Sequence, residues 1–483
     1  MKQGISSRMK HLLVAAVIYV LFQFLIPAPA PITRAGMGVV GIFIATLWLW
    51  CTEGSGWPSL LYVGMIGTTG VCSATDLFAK TWGNVMVPFL VACFVLNAVM
   101  SKTGLTRRVA LWFITRPSCA GKPWRILFMF FLAVMLLGFV CTSSPIIVLF
   151  MALAEEIFTL TGYKKGDSIA KAVMIGVLFV GSMSQAITPV SHVLVTMVFD
   201  YIEADFGIAI SYTRYMGMML PVAAVFFLVF WLFLRYLMKP EVDKLASLDI
   251  DALRATIPSM SKQEKIVALT YGVVIVVWLC PDLFNAAGLT AVGGFMKKLG
   301  TGIPALVAAG LLCGITVDGD PIITMQEANK GVAWNSVYIM TAVMGSAHIF
   351  GLESCGVTAW LMQTMEPLLG GMPAMLFVLC VAAFIMVMTN FLSNTLTASM
   401  YTVFIPIAMA IAGVNPIAVA LIIAAGCNIS MATPSCCPAG GLASGAGWTP
   451  VSYQMKWGWP LAAAYTLILA GVAYPLACLV FPA

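Results

Sequence analysis

The sequence predicts an all-α polytopic membrane protein, because apolar residues dominate it in long runs that do not alternate with polar ones. Of its 483 residues, 61% are hydrophobic and 9% are charged, and the mean hydropathy is +1.00. A soluble globular chain carries about 25% charged residues. A membrane β-barrel would need strands in which apolar and polar residues alternate. The long apolar runs therefore favour helices that cross a bilayer.

Several classes of function are disfavoured by the composition. The chain contains no G-x-x-x-x-G-K-[ST] loop, so it is not expected to use ATP by itself. Its 13 cysteines form no CxxC pair and no Cys/His cluster, so neither a zinc site nor another cofactor is expected. Three histidines in all argue against a membrane-embedded enzyme. The net charge of +6 lies mostly in loops, and no nucleic-acid partner is expected.

Basic residues predict the orientation in the membrane. Residues 2–10 are basic, which places the N-terminus in the cytoplasm. The first four spans are predicted near 12–28, 36–51, 57–73 and 84–101. They return the chain to the inside, where residues 102–125 carry basic side chains and no acid. In total we expect about 11 transmembrane helices plus two hairpins in the inner (cytoplasmic) membrane, with the C-terminus outside.

Two pairs of short apolar arms predict re-entrant hairpins. The inner hairpin covers about 126–160, and the outer hairpin covers about 372–411. Each arm is about 15 residues, whereas a comfortable crossing takes about 20. Non-helical backbone is tolerated at membrane depth only where it is buried in protein or lines a wet cavity. The polar tips at 141–144 and 391–397 are therefore candidate binding groups, although surface loops between short helices would be an alternative.

Two further apolar segments, at about 168–204 and 415–445, predict broken helices. Pro189 and Pro434 each follow a threonine and cannot donate a backbone hydrogen bond, so each interrupts its helix. Together with the hairpins, these segments divide the chain into two halves of similar plan. The domains are predicted as a first half at 1–237, a cytoplasmic linker at 238–265 and a second half at 266–483.

Fixed spacings indicate that the two halves are an internal repeat. At an offset of 252 residues, these pairs match: Trp82 and Trp334, Gly104 and Gly356, Phe139 and Phe391. At an offset of 245 residues, Gly181 matches Gly426, and Thr188-Pro189 matches Thr433-Pro434. The predicted orientation makes these repeats inverted. Inverted repeats with broken helices that meet near the membrane midplane are typical of secondary transporters.

The ionisable residues near these segments have two interpretations each. Glu155 and Glu156, in the second arm of the inner hairpin, could be buried functional acids or could face water near the hairpin base. His192, beside the first break, could bind an anion and titrate near neutral pH, or could be a satisfied packing residue. Glu155 and His192 keep proton coupling open.

The tip Ser393-Asn394-Thr395, the sequence Lys102-Thr103-Gly104-Leu105 after Trp82, and the two Thr-Pro breaks resemble the divalent-anion/sodium symporter (DASS) family. The resemblance covers most of the chain. It implies a homodimer in the lipid bilayer that works by an elevator movement. It also implies a small anionic substrate bound by Thr142, Ser143, Ser191, Asn394, Thr395, Thr433 and Pro434. The same resemblance implies sodium at Cys141, Thr142, Ser184, Ser393, Asn394 and Ala432.

The chain departs from the family pattern in its first half. The Ser-Asn-Thr motif of the inner tip is replaced by Cys141-Thr142-Ser143, and Ser184-Gln185 stand where the family tends to have glycines. An amide offers two donors and an acceptor, whereas a hydroxyl offers one donor. The resemblance as a whole implies a cation-coupled, sodium-driven symporter of a dicarboxylate or similar divalent anion. The alternatives are a transporter of sulfate, a sulfonate or another oxyanion, and an anion exchanger. A channel is disfavoured because two broken-helix gates indicate alternating access.

Overall fold

The computed structural model describes residues 6–54, 56–189, 191–300, 302–360, 363–364, 372–391, 394–433 and 448–482, and this part of the chain is mostly helical. The helices of the first 261 residues are α1 Ser7–Val20, α2 Arg34–Glu53, α3 Trp57–Thr68, α4 Ala74–Lys80, α5 Met86–Thr103, α6 Leu105–Ile114, α7 Pro123–Gly138, α8 Ser143–Thr161, α9 Ser168–Ser184, α10 Val193–Phe206, α11 Tyr212–Leu232 and α12 Ile250–Ala255. The remaining α-helices are α13 Lys262–Leu279, α14 Pro281–Ala286, α15 Thr290–Leu299, α16 Gly302–Gly314, α17 Met325–Gly331, α18 Trp334–Gly351, α19 Ala374–Phe391, α20 Asn394–Ala398, α21 Tyr401–Ala410, α22 Pro416–Gly426, α23 Val451–Ile468 and α24 Tyr474–Val480.

Short π and 3-10 segments extend or join several of these helices. The π segments are Leu21–Leu25, Phe233–Met238 and Leu469–Ala473, and the 3-10 segments are Pro117–Cys119 and Asp243–Ser247. One two-stranded antiparallel hairpin pairs β1 Thr316–Val317 with β2 Asp320–Pro321. Its turn is Asp318-Gly319, and both residues have positive φ, as a tight two-residue hairpin turn requires.

Four helical segments of the described chain are long and apolar enough to cross a membrane. They are Ser7–Leu25, Tyr212–Met238, Ala374–Phe391 and Val451–Val480. A fifth would be formed by α5 and α6 if this bent pair is one span. Several other apolar helices are shorter, among them α7, α9, α16 and α22. Helix α8, the second arm of the inner hairpin, has 19 residues and is longer than the predicted arm of about 15.

The packing order separates two groups of helices. In one group α1 packs on α2, α2 on α3, and α3 on α18, while α16 and α17 pack on α5. In the other group α7 and α8 pack on α9, and α22 packs on both α10 and α19. Contacts of α10 with α5 and of α18 with α20 join the groups. The hairpin arms and the broken helices therefore lie together in one part of the molecule.

Gly104 produces the sharp bend between α5 and α6. Its φ is +79°, a left-handed conformation that glycine adopts without the steric cost of a Cβ atom, and the two helices meet at 62°. Gly356, 252 residues later, has φ +75°. At both positions the backbone turns in the same left-handed way, which is the local geometry that the matched spacing of the two glycines predicts.

The outer tip, predicted as a polar turn at 391–397, is partly helical, because α20 covers Asn394–Ala398. The second arm follows as α21, which starts at Tyr401. Between them, the Ser399 hydroxyl donates to the Leu396 carbonyl at 2.6 Å, and Thr402 donates to the Ser399 carbonyl at 2.9 Å. Such local side-chain bonds compete with the helical ladder, so the two helices are separate. The first arm, α19, has 18 residues and is longer than the predicted arm of about 15.

The segment between the halves contains short helical turns that pack on the bundle. Leu245 and Leu253 are almost fully buried, and Arg254 donates to the Thr115 carbonyl at 2.7 Å. Helices α14 and α15 lie between α13 and α16, where the sequence analysis assigned no element. Both are short, which explains why a search for apolar runs of membrane length missed them.

A bidentate ion pair joins α6 to the start of α13. Arg108 donates to both carboxylate oxygens of Glu264, at 3.0 and 2.8 Å, and also to the Pro258 carbonyl at 2.7 Å. Glu264 is 7% exposed and also closes a capping box with Ser261. The Arg108 hydrogen bonds, aided by the Ser261 backbone N–H, lower the pKa of Glu264. The folded protein therefore favours the carboxylate.

Replacing Glu264 with Gln should destabilise the protein by about 1–3 kcal/mol, because Arg108 loses its charged partner in a mostly buried place. In the wild type this contribution is complete above the ordinary Glu pKa of 4.5 and is lost as the pH falls through the lower folded pKa. Thermal unfolding in detergent between neutral and acid pH measures both effects. The exposed Glu241→Gln is the matched control, and equal melting temperatures for the two variants would contradict the assignment.

Candidate functional site

The first break runs from the end of α9 at Ser184 to the start of α10 at Val193. The Thr188 hydroxyl donates to the Phe139 carbonyl, just before the tip of the inner hairpin. It also lies 3.1 Å from the Ser191 hydroxyl, and both side chains are buried. Thr188 thus attaches the unwound backbone to the hairpin, while Ser191 is satisfied within the break.

Gln185 joins the same break to the inner tip with three hydrogen bonds. Its Oε1 accepts from the Ser143 backbone N–H at 3.1 Å. Its Nε2 donates to the carbonyls of Cys141, at 3.2 Å, and Gly138, at 3.4 Å. Gly138 must be glycine here, because a Cβ atom would lie 1.9 Å from Ser184 Oγ. The tip and the break therefore form one hydrogen-bonded unit.

Asn390, on the first arm of the outer hairpin, performs the corresponding role in the second half. Its Oδ1 accepts from the backbone N–H groups of Met431, at 2.9 Å, and Ala432, at 2.7 Å. Its Nδ2 donates to the Ile429 carbonyl at 3.1 Å, and its own carbonyl accepts from the Thr433 hydroxyl. Asn390 was not among the predicted site residues. An asparagine inside an otherwise apolar arm was the signal that could have found it.

Asn394 holds the outer tip against the second break. Its Oδ1 accepts from the Thr389 hydroxyl at 2.9 Å, and its Nδ2 donates to the Ser430 hydroxyl at 3.1 Å. Thr389 also lies 2.6 Å from the Cys427 carbonyl. Thr395 follows on α20 and is half-buried. The predicted tip residue Asn394 is therefore fixed in place by neutral polar groups.

The two breaks touch each other. The Ser182 hydroxyl, at the end of α9, donates to the Ser430 carbonyl at 3.1 Å. Asn394 reaches Ser430 from one side, and Gln185 reaches Ser143 from the other. A continuous series of short contacts thus joins the outer tip, the second break, the first break and the inner tip.

The remaining predicted residues have varied surroundings. Cys141 is buried with Sγ 3.8 Å from Met100 Sδ, and Ser184 donates to the Gly181 carbonyl of its own helix at 2.8 Å. Thr142 is the half-buried N-cap of α8 and makes no side-chain capping bond. The predicted Ser393 and Pro434 lie outside the described residues.

The ionisable residues favour the structural interpretations. His192 Nδ1 accepts from the Leu194 backbone N–H at 3.4 Å, so it caps α10. Glu156 pairs with Arg107 at 3.1 Å, and the Trp448 indole donates to Glu155 at 2.6 Å. These acids lie on the part of α8 far from the tip, where they have fixed partners.

Two amide oxygens near the second break have no hydrogen-bond partner among the described residues. Asn428 Nδ2 donates to the Ala424 carbonyl at 2.8 Å, but its Oδ1 is buried and unpaired. Gln454, on α23, donates to the Met431 carbonyl at 3.2 Å, and its Oε1 is likewise unpaired. Sequence reasoning selected neither residue, because Asn428 is a single amide at the end of an apolar run and Gln454 stands in a mixed stretch with no motif.

Helix α23 lies directly against this break. A Cβ atom on Gly458 would lie 2.6 Å from the Ala432 Cα atom, so only glycine allows the approach. Gln454 stands one turn earlier on the same helix and is fully buried. The last long helix of the chain thus forms part of the wall around the second break.

Comparisons with known proteins agree with this architecture. The YdaH transporter of Alcanivorax borkumensis superposes with a TM-score of 0.60 at 15% identity, covering 98% of each chain. MtrF of Neisseria gonorrhoeae, described as one of a class of antimetabolite efflux pumps, gives a TM-score of 0.58 at 13% identity over 98% of this chain and 95% of its own. These likenesses show a shared fold.

Sequence comparison is more specific. The sodium-dependent dicarboxylate transporter SdcS of Staphylococcus saprophyticus is 23% identical over 455 residues, which is 90% of this chain and 85% of that protein. The family model described as the sodium:sulfate symporter transmembrane region matches residues 7–480. Both findings point to a transporter in a membrane rather than an enzyme. The chain therefore belongs to the sodium:sulfate symporter, or DASS, family, as its Ser393-Asn394-Thr395 tip and Thr-Pro breaks predicted.

Proposed function

We propose that this protein is a sodium-coupled symporter that moves a small divalent anion, with a dicarboxylate as the first candidate, by an elevator-type movement. The observation that carries the proposal is the Ser182–Ser430 contact, because it joins the two breaks while each is bonded to its own hairpin tip. The groups around it are hydroxyls, amides and backbone, which suit an anion and a hard cation without a carboxylate. The name of the relative SdcS supports the dicarboxylate, and the family description keeps sulfate as the second candidate.

Matched hydrogen bonds support the inverted repeat on which this proposal depends. Thr188 donates to the carbonyl of Phe139, and Thr433, 245 residues later, donates to that of Asn390. Each bond joins the threonine of a Thr-Pro pair to the carboxyl end of the first hairpin arm. The same attachment in both halves is what two copies of one ancestral unit would give.

The anion would lie between the two tips, with the second half providing most of the contacts. Thr395 would donate its hydroxyl, and the Asn394 amide, whose position is fixed by Thr389 and Ser430, would donate its second N–H. Thr142 and Ser143 begin helix α8, whose N-terminus carries a partial positive charge. Ser191 and Thr433 lie behind them in the breaks. A cation beside these groups would raise the affinity for the anion, and by reciprocity the anion would raise the affinity for the cation.

The helix packing supports an elevator movement in the inner membrane. The hairpins and breaks would form the moving body, and the group containing α1, α2, α3 and α18 would form the scaffold at a homodimer interface. The halves at 1–237 and 266–483, joined by the 238–265 linker, each contribute to both bodies. The basic loops would keep the N-terminus in the cytoplasm and the C-terminus outside.

A sulfate or sulfonate remains the second substrate class for a specific reason. Gln185 Oε1 already accepts from the Ser143 N–H, so the inner tip has one donor fewer for a carboxylate. A smaller oxyanion needs fewer separated donors than a dicarboxylate does.

A substrate screen tests the function. Dicarboxylates should raise the melting temperature of the purified protein more with sodium than with choline, because a ligand of the native state adds to its stability. The same anions should compete for uptake into proteoliposomes with an inward sodium gradient. Stabilisation by sulfate alone would select the second class, and no response to any anion would contradict a symporter.

Asn394→Ala should abolish uptake, because the amide that aligns the outer tip with Ser430 is lost. Asn394→Asp should also lose uptake, since it keeps the shape but places a negative charge beside the anion. Elution as a single species in gel filtration separates a lost site from a lost fold. Uptake at the wild-type rate in both variants would place the anion elsewhere.

A cross-link tests the movement. Met100→Cys places a second thiol near native Cys141, at a contact between α5 and the inner tip where the sulfur atoms now lie 3.8 Å apart. Joining them with a short bis-methanethiosulfonate should stop uptake if the hairpin slides against α5. The same reagent on Met100→Cys with Cys141→Ala is the matched control. Full uptake after complete cross-linking would exclude the elevator movement.

A further inference from the structure

The two breaks offer unequal surroundings to a coupling cation. We propose that the protein carries one coupling cation, at the second break, and that the Gln185 amide occupies the corresponding place at the first. This inference rests on the proposed cation-coupled symport and adds the number and position of the ions. It also departs from the two-site arrangement that the predicted sodium ligands imply.

At the first break, the potential cation ligands are already occupied. Carbonyl oxygens of unwound backbone are the groups that coordinate sodium in broken-helix transporters. Gln185 Nε2 donates to two such oxygens, those of Cys141 and Gly138. An amide nitrogen has two hydrogens, and this geometry uses both of them. Gln185 and Cys141 are each 2% exposed. Water therefore cannot readily replace the amide as the hydrogen-bond partner of these carbonyls.

The same side chain also satisfies the inner tip on its donor side. Its Oε1 accepts from Ser143 N–H, which is among the first N–H groups of α8 and has no partner within that helix. The single neutral side chain of Gln185 therefore forms hydrogen bonds with two carbonyl oxygens and one N–H group of this tip. A cation placed there would have to displace the amide and leave these groups unpaired.

The second break shows the opposite condition. Among the described residues, the buried Oδ1 of Asn428 and the buried Oε1 of Gln454 have no hydrogen-bond partner, although the nitrogen of each amide is bonded to backbone. A buried acceptor without a partner is costly. A sodium ion, which prefers hard oxygen ligands, would satisfy such groups, whereas an anion would not. Gln454 donates to the Met431 carbonyl, between Ser430 and Ala432, and Asn428 lies two residues before Ser430 in the chain.

The repeat makes the contrast specific. At the offset of 245 residues, Asn428 corresponds to Met183 and Ser430 corresponds to Gln185. The first half thus has a thioether where the second has a free amide oxygen. It also has an amide where the second has a hydroxyl that accepts from Asn394. Both differences leave fewer cation ligands at the first break than at the second.

Sodium itself is the probe for the second break. In detergent, with choline chloride keeping the ionic strength constant, sodium should raise the melting temperature of the wild type. Asn428→Leu should lose that rise. Asn97→Leu is the matched control, because Asn97 also donates to the carbonyl four residues earlier and has a buried, unpaired Oδ1, but lies on α5. Asn97→Leu should keep the rise.

Asn428→Asp makes the test independent of any folding defect in the leucine variant. It keeps an oxygen ligand and adds a negative charge, so the sodium concentration at half-effect should fall at least several-fold. Full sodium stabilisation in Asn428→Leu, or an unchanged midpoint in Asn428→Asp, would overturn the position.

The number of ions is read from the sodium dependence of uptake. The wild type should show a Hill coefficient of about 1 for sodium, as a single coupled site requires. Replacing Gln185 with Ser and Thr142 with Asn copies the second-half residues into the first, and the coefficient should rise towards about 2. A wild-type coefficient near 2 would overturn the inference while leaving symport intact. If neither sodium nor an anion affected stability or uptake, symport itself would fail.

Discussion

The interaction on which the rest of this structure depends is the pairing of backbone polar groups inside a region with little water. Each break leaves carbonyl and N–H groups without helical partners, and in a membrane each unsatisfied group costs several kcal/mol. In the second half Asn390, on the hairpin, satisfies three groups of the break. In the first half Gln185, on the break, satisfies three groups of the hairpin tip. These two amides replace helical bonds that are missing where the chain is unwound.

The sequence was sufficient to predict the helical class, the family and the interruption at Thr188-Pro189, because each has a strong signal. Proline removes a hydrogen bond wherever it stands, and a polar turn between apolar arms is visible in the letters alone. The amides that stabilise the breaks were less visible. Asn390, Asn428 and Gln454 belong to no recognisable motif, and only tertiary contacts show what each one binds. The same limit applies to α14 and α15, whose lengths resemble loops.

If the two halves are the repeat that we propose, they differ in residues while keeping one attachment. The threonine bond to the first hairpin arm is retained in both, since it fixes where the helix breaks. The amide, by contrast, stands on the hairpin in the second half, as Asn394, and on the break in the first, as Gln185. An amide on either partner keeps the hairpin and the break joined, but it leaves different polar atoms available beside the contact.

The close approach of Gly458 to Ala432 has a consequence for how the protein is made. Because α23 packs against the second break, the unwound backbone near Ala432 lacks this cover until Val451–Ile468 has been synthesised and inserted. Earlier helices can pack as they emerge, but the carbonyl of Met431 must wait for Gln454. A nascent chain that stalls before α23 would therefore present polar backbone to membrane quality control.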